Sequence, residues 1–465
     1  MDCASLFRYA ENCYYVFMNR SFIKKFSAAS AAFSLVLSCV FLYAVSLVFV
    51  SCASRLSAAD SAALAKLESV DAASPEGADI LIFADTIINK HVGATELLSV
   101  SDFCEKAIDA ANRLDESASP AGSGQRLVSL YFELCKLAAM LHDGHTGVQM
   151  PQEMLPFLET YPFSVNVIGG KLIVSTIGLE YQNLIGLEIA EINGHSVEEV
   201  ISSLKTIISF DTEAFAMANI AQLLNIREVL DFTGLGSENG ILRLLLSDGS
   251  EISLEALTAE QLESEQELTT MGVCSLVTNV ERTLYRNSLY ECYDLDAETL
   301  FVQYNACMNA EGYSVADFTK DVLGFIDNMG FTRVIIDLRN NGGGNSMLFD
   351  PFINQLGKRI SAGQCKGFVL IGTNTFSSAV LNAWDLKKAG CTLVGTPTGG
   401  AINHYGELGY ITLPHSGINA TYSTKHFILD PKAVPGSIQP DVLVELSVDD
   451  LRSGYDAQTA ACLEM

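Results

Sequence analysis

The sequence predicts a mixed α/β protein whose C-terminal part contains a buried, largely parallel sheet. Two short apolar runs, residues 368–371 and 392–394, flank a segment with the spacing of a helix, residues 377–390. Upstream, residues 315–329 also have helical spacing and lead into the predicted strand 333–337. This alternation of strand and helix is typical of sheets that are covered by helices on both faces.

The rest of the chain divides into further regions ahead of this core. Residues 56–150 show apolar side chains at intervals of three and four, which predicts helices. Residues 155–258 change to short runs separated by glycine-containing turns, which predicts a β-rich module. The predicted boundaries are a membrane-targeting segment at 1–55, a helical domain at 56–150, the β-rich module at 155–258, a connector at 259–298 and the α/β core at 299–465.

The composition indicates a large folded protein with no affinity for nucleic acid. The chain has 465 residues, 49% of them hydrophobic, and a formal net charge of −27. The hydrophobic content allows large buried cores and argues against intrinsic disorder. A surface this acidic repels nucleic acid and anionic lipid, because both carry negative charge. We therefore expect no nucleic-acid partner.

A segment near the N-terminus has the properties of a membrane-targeting sequence. Residues 26–54 contain no charged side chain, and Arg20, Lys24 and Lys25 precede them. This run is long enough to span a bilayer. Its end, FVSC, places Cys52 at a position that resembles a bacterial lipoprotein cleavage site, and an uncleaved signal anchor is the alternative. In either case we expect the bulk of the chain to be exported and anchored on the outer side of the cytoplasmic membrane.

The middle region has the pattern of a known small β module. Residues 163–175 predict a hairpin, and residues 241–254 predict another. Between them, residues 186–194 read GLEIAEING, a strand that ends in an Asn-Gly turn, and Ser196 is placed to cap the following helix. This pattern resembles PDZ-type modules, which bind peptide termini by adding a strand to an exposed sheet edge.

The cysteines and histidines predict neither a cofactor nor a metal site. None of the 12 cysteines belongs to a CxxC pair or to a His/Cys zinc pattern. Most of them lie in apolar contexts, which is typical of buried free thiols. His142 and His145 are close together, but no further carboxylate–histidine pairing accompanies them, so a metal enzyme is the most remote interpretation.

Two loops that follow predicted strands contain residues suited to nucleophilic catalysis. Ser377 and Ser378 open the helix after strand 368–371, where backbone N–H groups lie nearby. Such a position suits a nucleophilic serine, and it equally suits an N-cap. After strand 333–337, three consecutive glycines let backbone N–H groups approach a ligand, which favours an oxyanion hole. A phosphate loop is less favoured, because no Gly-Lys-Ser/Thr follows.

Five motifs resemble, in their order along the chain, those of the C-terminal processing (tail-specific) serine peptidases. They are LHDGHTGV, DLRNNGGG, TFSSA, VGTPTGG and IQPDVLVE, all within residues 126–445. The family includes tricorn protease and interphotoreceptor retinoid-binding protein, and the chain resembles this branch. The resemblance implies a crotonase-like ββα spiral core, a PDZ module and a serine nucleophile.

The resemblance also implies roles for individual residues. It makes Ser377 the nucleophile and places the backbone N–H groups of Gly343 and Ser378 in the oxyanion hole. One branch of the family activates the serine with a lysine, but Ala401 stands at that position here. The other branch uses a histidine, which corresponds to His145, and a neutral imidazole is a suitable general base for a serine hydroxyl.

The acid that would orient the histidine is left open by the sequence. The histidine branch has a glutamate shortly before the PD motif, whereas residues 433–439 contain no carboxylate here. Glu407 is the candidate that we carry forward, and Asp143 and His404 are weaker ones.

Two functions follow from these residues. The first is an exported serine endopeptidase that hydrolyses peptide bonds in proteins or peptides through an acyl-enzyme. The second is a catalytically degenerate relative that binds peptides or apolar ligands without cleaving them, which the alanine at the lysine position and the missing glutamate favour. Reaction of Ser377 with a fluorophosphonate probe distinguishes the two.

Overall fold

The structure is a computed structural model that describes residues 56–117, 119–120, 123–237, 239–265, 268–270 and 289–465. These residues form a mixed α/β protein, as the sequence predicts. The expected membrane-targeting segment, residues 1–55, lies outside the described residues. No helix within the described ranges is both long and apolar enough to cross a bilayer.

Helices and strands are numbered here in chain order over the described residues. The helices are α1 (Ala58–Glu68), α2 (Pro75–Lys90), α3 (Ala94–Leu97), α4 (Val100–Asp115), α5 (Gly124–Ala139), α6 (Val197–Leu204), α7 (Glu213–Leu223), α8 (Arg227–Phe232), α9 (Ala259–Glu265), α10 (Val315–Met329), α11 (Asp350–Ser361), α12 (Ser378–Lys388), α13 (Val448–Ser453) and α14 (Ala457–Glu464). The strands are β1 (Gly147–Val148), β2 (Phe163–Ile168), β3 (Lys171–Gly178), β4 (Ile189–Ile192), β5 (His195–Ser196), β6 (Ile241–Leu246), β7 (Glu251–Glu255), β8 (Leu268–Thr270), β9 (Tyr290–Asp294), β10 (Thr299–Tyr304), β11 (Arg333–Asp337), β12 (Lys366–Ile371), β13 (Thr392–Gly395), β14 (Asn403–Thr412), β15 (Asn419–Ile428) and β16 (Val442–Leu443).

The region expected to be helical, residues 56–150, contains α1 to α5. Helices α1, α2, α4 and α5 each begin after a serine whose side chain accepts a backbone N–H of the first turn, which fixes where the helix starts. Their apolar faces meet in a core that fully buries Phe83, Ile87 and Phe103. The region ends in β1, which pairs antiparallel with β15, with Gly147 opposite Thr421. This pairing ties the N-terminal helices to the C-terminal part of the chain.

The middle region contains two small antiparallel sheets, of order β2-β3-β8 and β5-β4-β6-β7. Both predicted hairpins are confirmed, since β2 pairs with β3 and β6 pairs with β7. The turn at Asn193 and Gly194 has φ values of 52° and 83°, as an Asn-Gly turn requires. Ser196 caps α6 as predicted, and Glu199 bonds back to it in a capping box. The assignment to the PDZ class stays a prediction.

The core is a six-stranded sheet of order β16-β13-β12-β11-β10-β9. Strands β10 to β13 and β16 are parallel, and β9 is an antiparallel edge strand contributed by residues expected to belong to the connector. Helices α10, α11 and α12 cover one face, and α14 packs on the other. Burial on both faces explains the nearly continuous apolar runs of these strands. The crotonase-like spiral stays a prediction.

Three loops meet at one edge of this sheet. The parallel strands β11, β12 and β13 are neighbours in register, so that their carboxyl ends lie side by side. The loops that follow them contain the glycine run 342–344, Ser377 and residues 396–401. In open parallel sheets, ligands bind at this edge. The hairpin of β14 and β15, joined by β1, forms a separate sheet that carries His404 in its first strand.

A buried ion-pair network holds the turn after β11 to the C-terminal helix. Arg339 Nη2 lies 2.8 Å from Asp337 Oδ2 and 2.9 Å from Asp456 Oδ2. Arg339 Nη1 also donates to Gln458 Oε1 (2.9 Å). Asp456 in turn accepts backbone N–H groups at the start of α14. The arginine of the DLRNNGGG motif therefore has a structural role beneath the glycine loop.

Candidate active site

Ser377 lies in a sharp turn between β12 and α12. Its backbone has φ 52° and ψ −126°, a strained conformation that residues with a side chain rarely adopt. The Thr375 hydroxyl holds this turn from beneath, because it donates to Leu338 O (2.8 Å) and accepts the Gly372 N–H (3.0 Å). Ser377 occupies the N-cap position of α12, yet its side chain makes no capping hydrogen bond. A strained strand-to-helix turn of this kind presents the nucleophile of α/β-hydrolases.

The glycine loop after β11 lies against this turn. Gly343 has φ 108°, and a Cβ there would lie 2.7 Å from the Cβ of Ser377 and 3.0 Å from the backbone N of Ser378. Only glycine permits this approach. The Ser378 hydroxyl donates to Gly344 O (2.7 Å), which fastens the loop to α12. The N–H of Gly343 donates to Asn341 Oδ1 (2.9 Å), so this predicted donor of the oxyanion hole already has a hydrogen-bond acceptor.

The imidazole of His145 is buried beside the residue that precedes Ser377. Its ring stacks on Phe376, with ring centroids 4.6 Å apart, and on His404, with centroids 5.3 Å apart. Neither ring nitrogen has a hydrogen-bond partner among the described residues, so the imidazole is not bonded to the Ser377 hydroxyl in this conformation. Burial lowers the pKa of His145 to about 4, against the opposing effect of the Asp143 charge. The imidazole is therefore neutral at pH 7, as a general base must be.

Asp143 is the carboxylate nearest to this imidazole, with Oδ1 3.9 Å from His145 Nδ1. Its oxygens accept hydrogen bonds from the His145 backbone N–H (3.0 Å), the Thr146 hydroxyl (2.6 Å) and the Ser423 hydroxyl (2.7 Å). His91 Nε2 is a further partner at 3.0 Å. Burial alone would raise the pKa of Asp143, but these hydrogen bonds lower it to about 2. Asp143 is therefore an ionised carboxylate in a fixed orientation.

Glu407, the acid that the sequence favoured, points elsewhere. It has φ 55° and interrupts the pairing of β14 with β15, where Gly406 is opposite Lys425 and Leu408 is opposite Ser423. The register is the same on both sides of Glu407, whose side chain is 62% exposed and lies 3.6 Å from Lys425 Nζ. The structure thus brings His145 close to Asp143, the weaker sequence candidate, and directs Glu407 towards solvent.

The other histidines near the site have structural contacts. His404 Nδ1 lies 2.8 Å from Ala401 O and donates to it, and burial lowers the pKa of His404. His142 packs edge-on against Phe210. Within the described ranges, no group of three or more histidine, cysteine or acidic side chains is arranged to hold a metal ion.

Asp211 is a buried acid at this site that sequence reasoning missed. Its Oδ2 accepts the N–H of Ala401 (3.5 Å), whereas its Oδ1 is buried without a hydrogen-bond partner in the described part of the chain. The next residue, Thr212, caps α7 and bonds through its hydroxyl to Gly399 O. Burial raises the pKa of Asp211 to about 7. The only sequence signal is the Thr212 cap, which does not reveal a contact with a loop 190 residues away.

The buried Asp211 carboxyl predicts a stability that depends on pH. The folded state raises the pKa from its ordinary 3.8 to about 7, so the stability of the wild type should fall as the pH rises through this window. Asp211→Asn removes this cost and should stabilise the fold at pH 8 by on the order of 2–4 kcal/mol, with little effect at pH 4. Thermal unfolding of both proteins at the two pH values measures the difference. Asp449→Asn, at a side chain that is 92% exposed, is the control and should follow the wild type. An equal effect of Asp211→Asn at both pH values would contradict the assignment.

The fold is shared with solved structures of CPAF over most of both chains. The structure of mature CPAF complexed with lactacystin matches with a TM-score of 0.55 at 14% identity, over 84% of this chain and 96% of that chain. Mature CPAF matches with the same TM-score and identity, over 84% of this chain and 95% of that chain. The photosystem II D1 C-terminal processing protease matches with a TM-score of 0.36 at 14% identity, over 82% of this chain and 98% of that chain. No protein-family model and no curated protein matches the sequence.

Proposed function

We propose that this protein is a serine endopeptidase that cleaves peptide bonds through an acyl-enzyme. One observation carries the proposal: Ser377 occupies a strained turn that touches Gly343 at the carboxyl edge of a parallel sheet. The neutral imidazole of His145 stacks on the adjacent Phe376 and supplies the base. A nucleophile, a base and nearby backbone N–H groups at one place are the requirements for acyl transfer.

The reaction has two halves, acylation and deacylation, and in each half His145 takes up one proton and then releases it. Ser377 Oγ attacks the scissile carbonyl carbon while its proton passes to His145. The oxyanion is stabilised by the N–H of Ser378, which lies in the first turn of α12 and has no acceptor within the helix. The imidazolium then protonates the leaving amine as the C–N bond breaks, which leaves an ester on Ser377. Water attacks this ester, His145 takes its proton, and the acid product leaves as the proton returns to Ser377.

Asp143 orients the imidazole in this proposal. Its Oδ1 lies on the Nδ1 side of His145, so an ionised carboxylate there favours a proton on Nδ1 and a free Nε2. The same charge stabilises the imidazolium that forms when Ser377 loses its proton. Glu407 has no part in the proposed mechanism, because its carboxylate faces Lys425 at the surface.

Two contacts have to form when substrate binds. The Ser377 hydroxyl has to meet His145, and the N–H of Gly343 has to exchange Asn341 Oδ1 for the developing oxyanion. Catalytic hydrogen bonds are often long or absent in apo structures and form in the substrate complex. The second change is local, because the Ser377 turn and the glycine loop are already in contact.

A second candidate function is binding of peptides or apolar ligands without cleavage. The hydrogen bond from Gly343 to Asn341 and the alanine at position 401 favour it, since both depart from a site that is ready for catalysis. Under this alternative Ser377 is not activated, and its hydroxyl reacts no faster than an ordinary serine.

Labelling with a fluorophosphonate probe separates the two functions. We expect the wild type to be labelled, with the adduct mapped by mass spectrometry to residue 377 and not to residue 378. Ser377→Ala should abolish labelling and casein hydrolysis, and His145→Ala should reduce both strongly because the hydroxyl loses its base. A folded wild-type chain that stays unlabelled, or an adduct at another residue, would exclude the peptidase proposal and leave the binding function.

We further propose that the substrates are exported proteins or peptides. The apolar, uncharged run at residues 26–54 supports export, with attachment to the outer side of the cytoplasmic membrane through Cys52 or through an uncleaved anchor. Protease treatment of intact cells tests the location, since an outward-facing chain is digested and a cytosolic chain is protected. Mass spectrometry of the mature N-terminus distinguishes lipidation at Cys52 from an uncleaved anchor.

A further inference from the structure

A buried histidine lies behind the carboxylate that faces the catalytic imidazole. His91 follows α2 at its C-cap, and its side chain is fully buried. Its Nδ1 accepts the backbone N–H of Gly93 (3.0 Å), so this nitrogen carries a lone pair and no proton. The ring proton is therefore on Nε2, which lies 3.0 Å from Asp143 Oδ2 and donates to it.

The two oxygens of Asp143 divide their contacts between two sides. Oδ1 accepts the backbone N–H of His145 and lies 3.9 Å from the Nδ1 of the same residue. Oδ2 accepts from His91, Thr146 and Ser423. The N–H of His91 is thus one of the three donors that fix Oδ2, and fixing Oδ2 aims Oδ1 at the imidazole.

The position of His91 is itself constrained by neighbouring elements. The N–H of Val92 donates to Ser423 O (3.1 Å), which joins the end of α2 to β15. The ring of Tyr405 in β14 lies 5.5 Å from the ring of His91, and its hydroxyl donates to Glu96 Oε2 (2.9 Å). These contacts hold the end of α2 against β15 and place the Tyr405 ring beside the ring of His91.

We propose that His91 is a positioning residue for the peptidase reaction, acting on His145 through Asp143. This inference rests on the proposed function of the site. His91 does not touch substrate or reacting atoms; it sets the orientation of the carboxylate that orients the base. Misplacement of a catalytic group by about 1 Å can lower a rate by about 10²-fold, so the loss of one such donor is measurable.

Two substitutions separate the contact of His91 Nε2 with Asp143 from the contact of His91 Nδ1 with Gly93. The side-chain oxygen of His91→Asn can replace Nδ1 as acceptor for Gly93, but no donor reaches Asp143. The amide nitrogen of His91→Gln can reach the position of Nε2 and restore the donor. We expect His91→Asn to lower kcat between about 10- and 100-fold with KM within about twofold, and His91→Gln to recover most of the loss. Thermal unfolding confirms that both variants fold.

The outcomes decide between positioning and packing. Equal loss in both variants would show that the shape of the ring matters and its N–H donor does not. Full activity in His91→Asn would show that His91 has no role in the reaction. Either result would overturn the proposal. A second measurement does not depend on turnover. It is the NMR spectrum of ¹⁵N-labelled histidines in the full chain that carries Ser377→Ala. The ring signals of His145 should shift in His91→Asn and return in His91→Gln, and unchanged signals in His91→Asn would also overturn it. Failure of the peptidase proposal shows instead as a wild type that the probe does not label.

Discussion

Replacement of Asp143 by asparagine is expected to lower kcat by about 10³- to 10⁴-fold. The carboxylate oxygen Oδ1 lies 3.9 Å from Nδ1 of His145. Neighbouring hydrogen-bond donors hold the carboxylate and lower the pKa of Asp143 to about 2. An amide in its place can turn an N–H towards Nδ1, which favours the tautomer whose Nε2 cannot accept the serine proton. It also removes the negative charge that stabilises the imidazolium during proton transfer.

The matched control for this substitution is Glu407→Gln. It makes the same chemical change at the acid that the sequence favoured, whose carboxylate is 62% exposed and faces Lys425. Steady-state hydrolysis of casein by the two variants should show a large loss for Asp143→Asn and kcat within about twofold of the wild type for Glu407→Gln. Thermal unfolding checks that Asp143→Asn remains folded. The reverse order of effects would return the orienting role to Glu407.

Replacement of Arg339 by methionine is expected to destabilise the fold by about 3–5 kcal/mol. The guanidinium lies between the carboxylates of Asp337 and Asp456, which are 3% and 1% exposed. Methionine fills a similar volume but leaves two buried negative charges close together without a cation. Because this network underlies the glycine loop, activity should fall together with stability.

Arg359→Met provides the comparison for Arg339→Met. Arg359 also pairs with an aspartate, Asp327, but that carboxylate is 57% exposed and is solvated when the arginine is removed. We expect this substitution to cost less than about 1 kcal/mol. Addition of Asp337→Asn and Asp456→Asn to Arg339→Met should recover part of its lost stability, because the uncompensated charges are then gone. Unfolding temperatures that are the same for the two arginine variants would contradict the buried-charge explanation.

The sequence predicted the parallel sheet and the serine turn because their signals are local. Short apolar runs such as 368–371 and 334–336 are typical of strands buried on both faces, and helical spacing follows or precedes each of them. The glycine run predicted a close approach of the backbone. Gly343 makes such an approach to Ser377, where a residue with a side chain would not fit.

The remaining parts of the site depend on contacts between distant segments. Asp143 bonds to His91, 52 residues away, and to Ser423, 280 residues away, and no local pattern encodes either pairing. Glu407 illustrates the opposite difficulty. It is near His404 in sequence, but its side chain is exposed and faces Lys425 of the paired strand, and this placement depends on how the two strands pair.

The pairing of β1 with β15 has a consequence for the synthesis of the chain. The proposed base His145, the carboxylate of Asp143 and His91 are synthesised early, but Ser377 and Ser423 are made near the end. Under the proposed function, a chain whose synthesis stops before Ser377 lacks the nucleophile and is expected to be inactive.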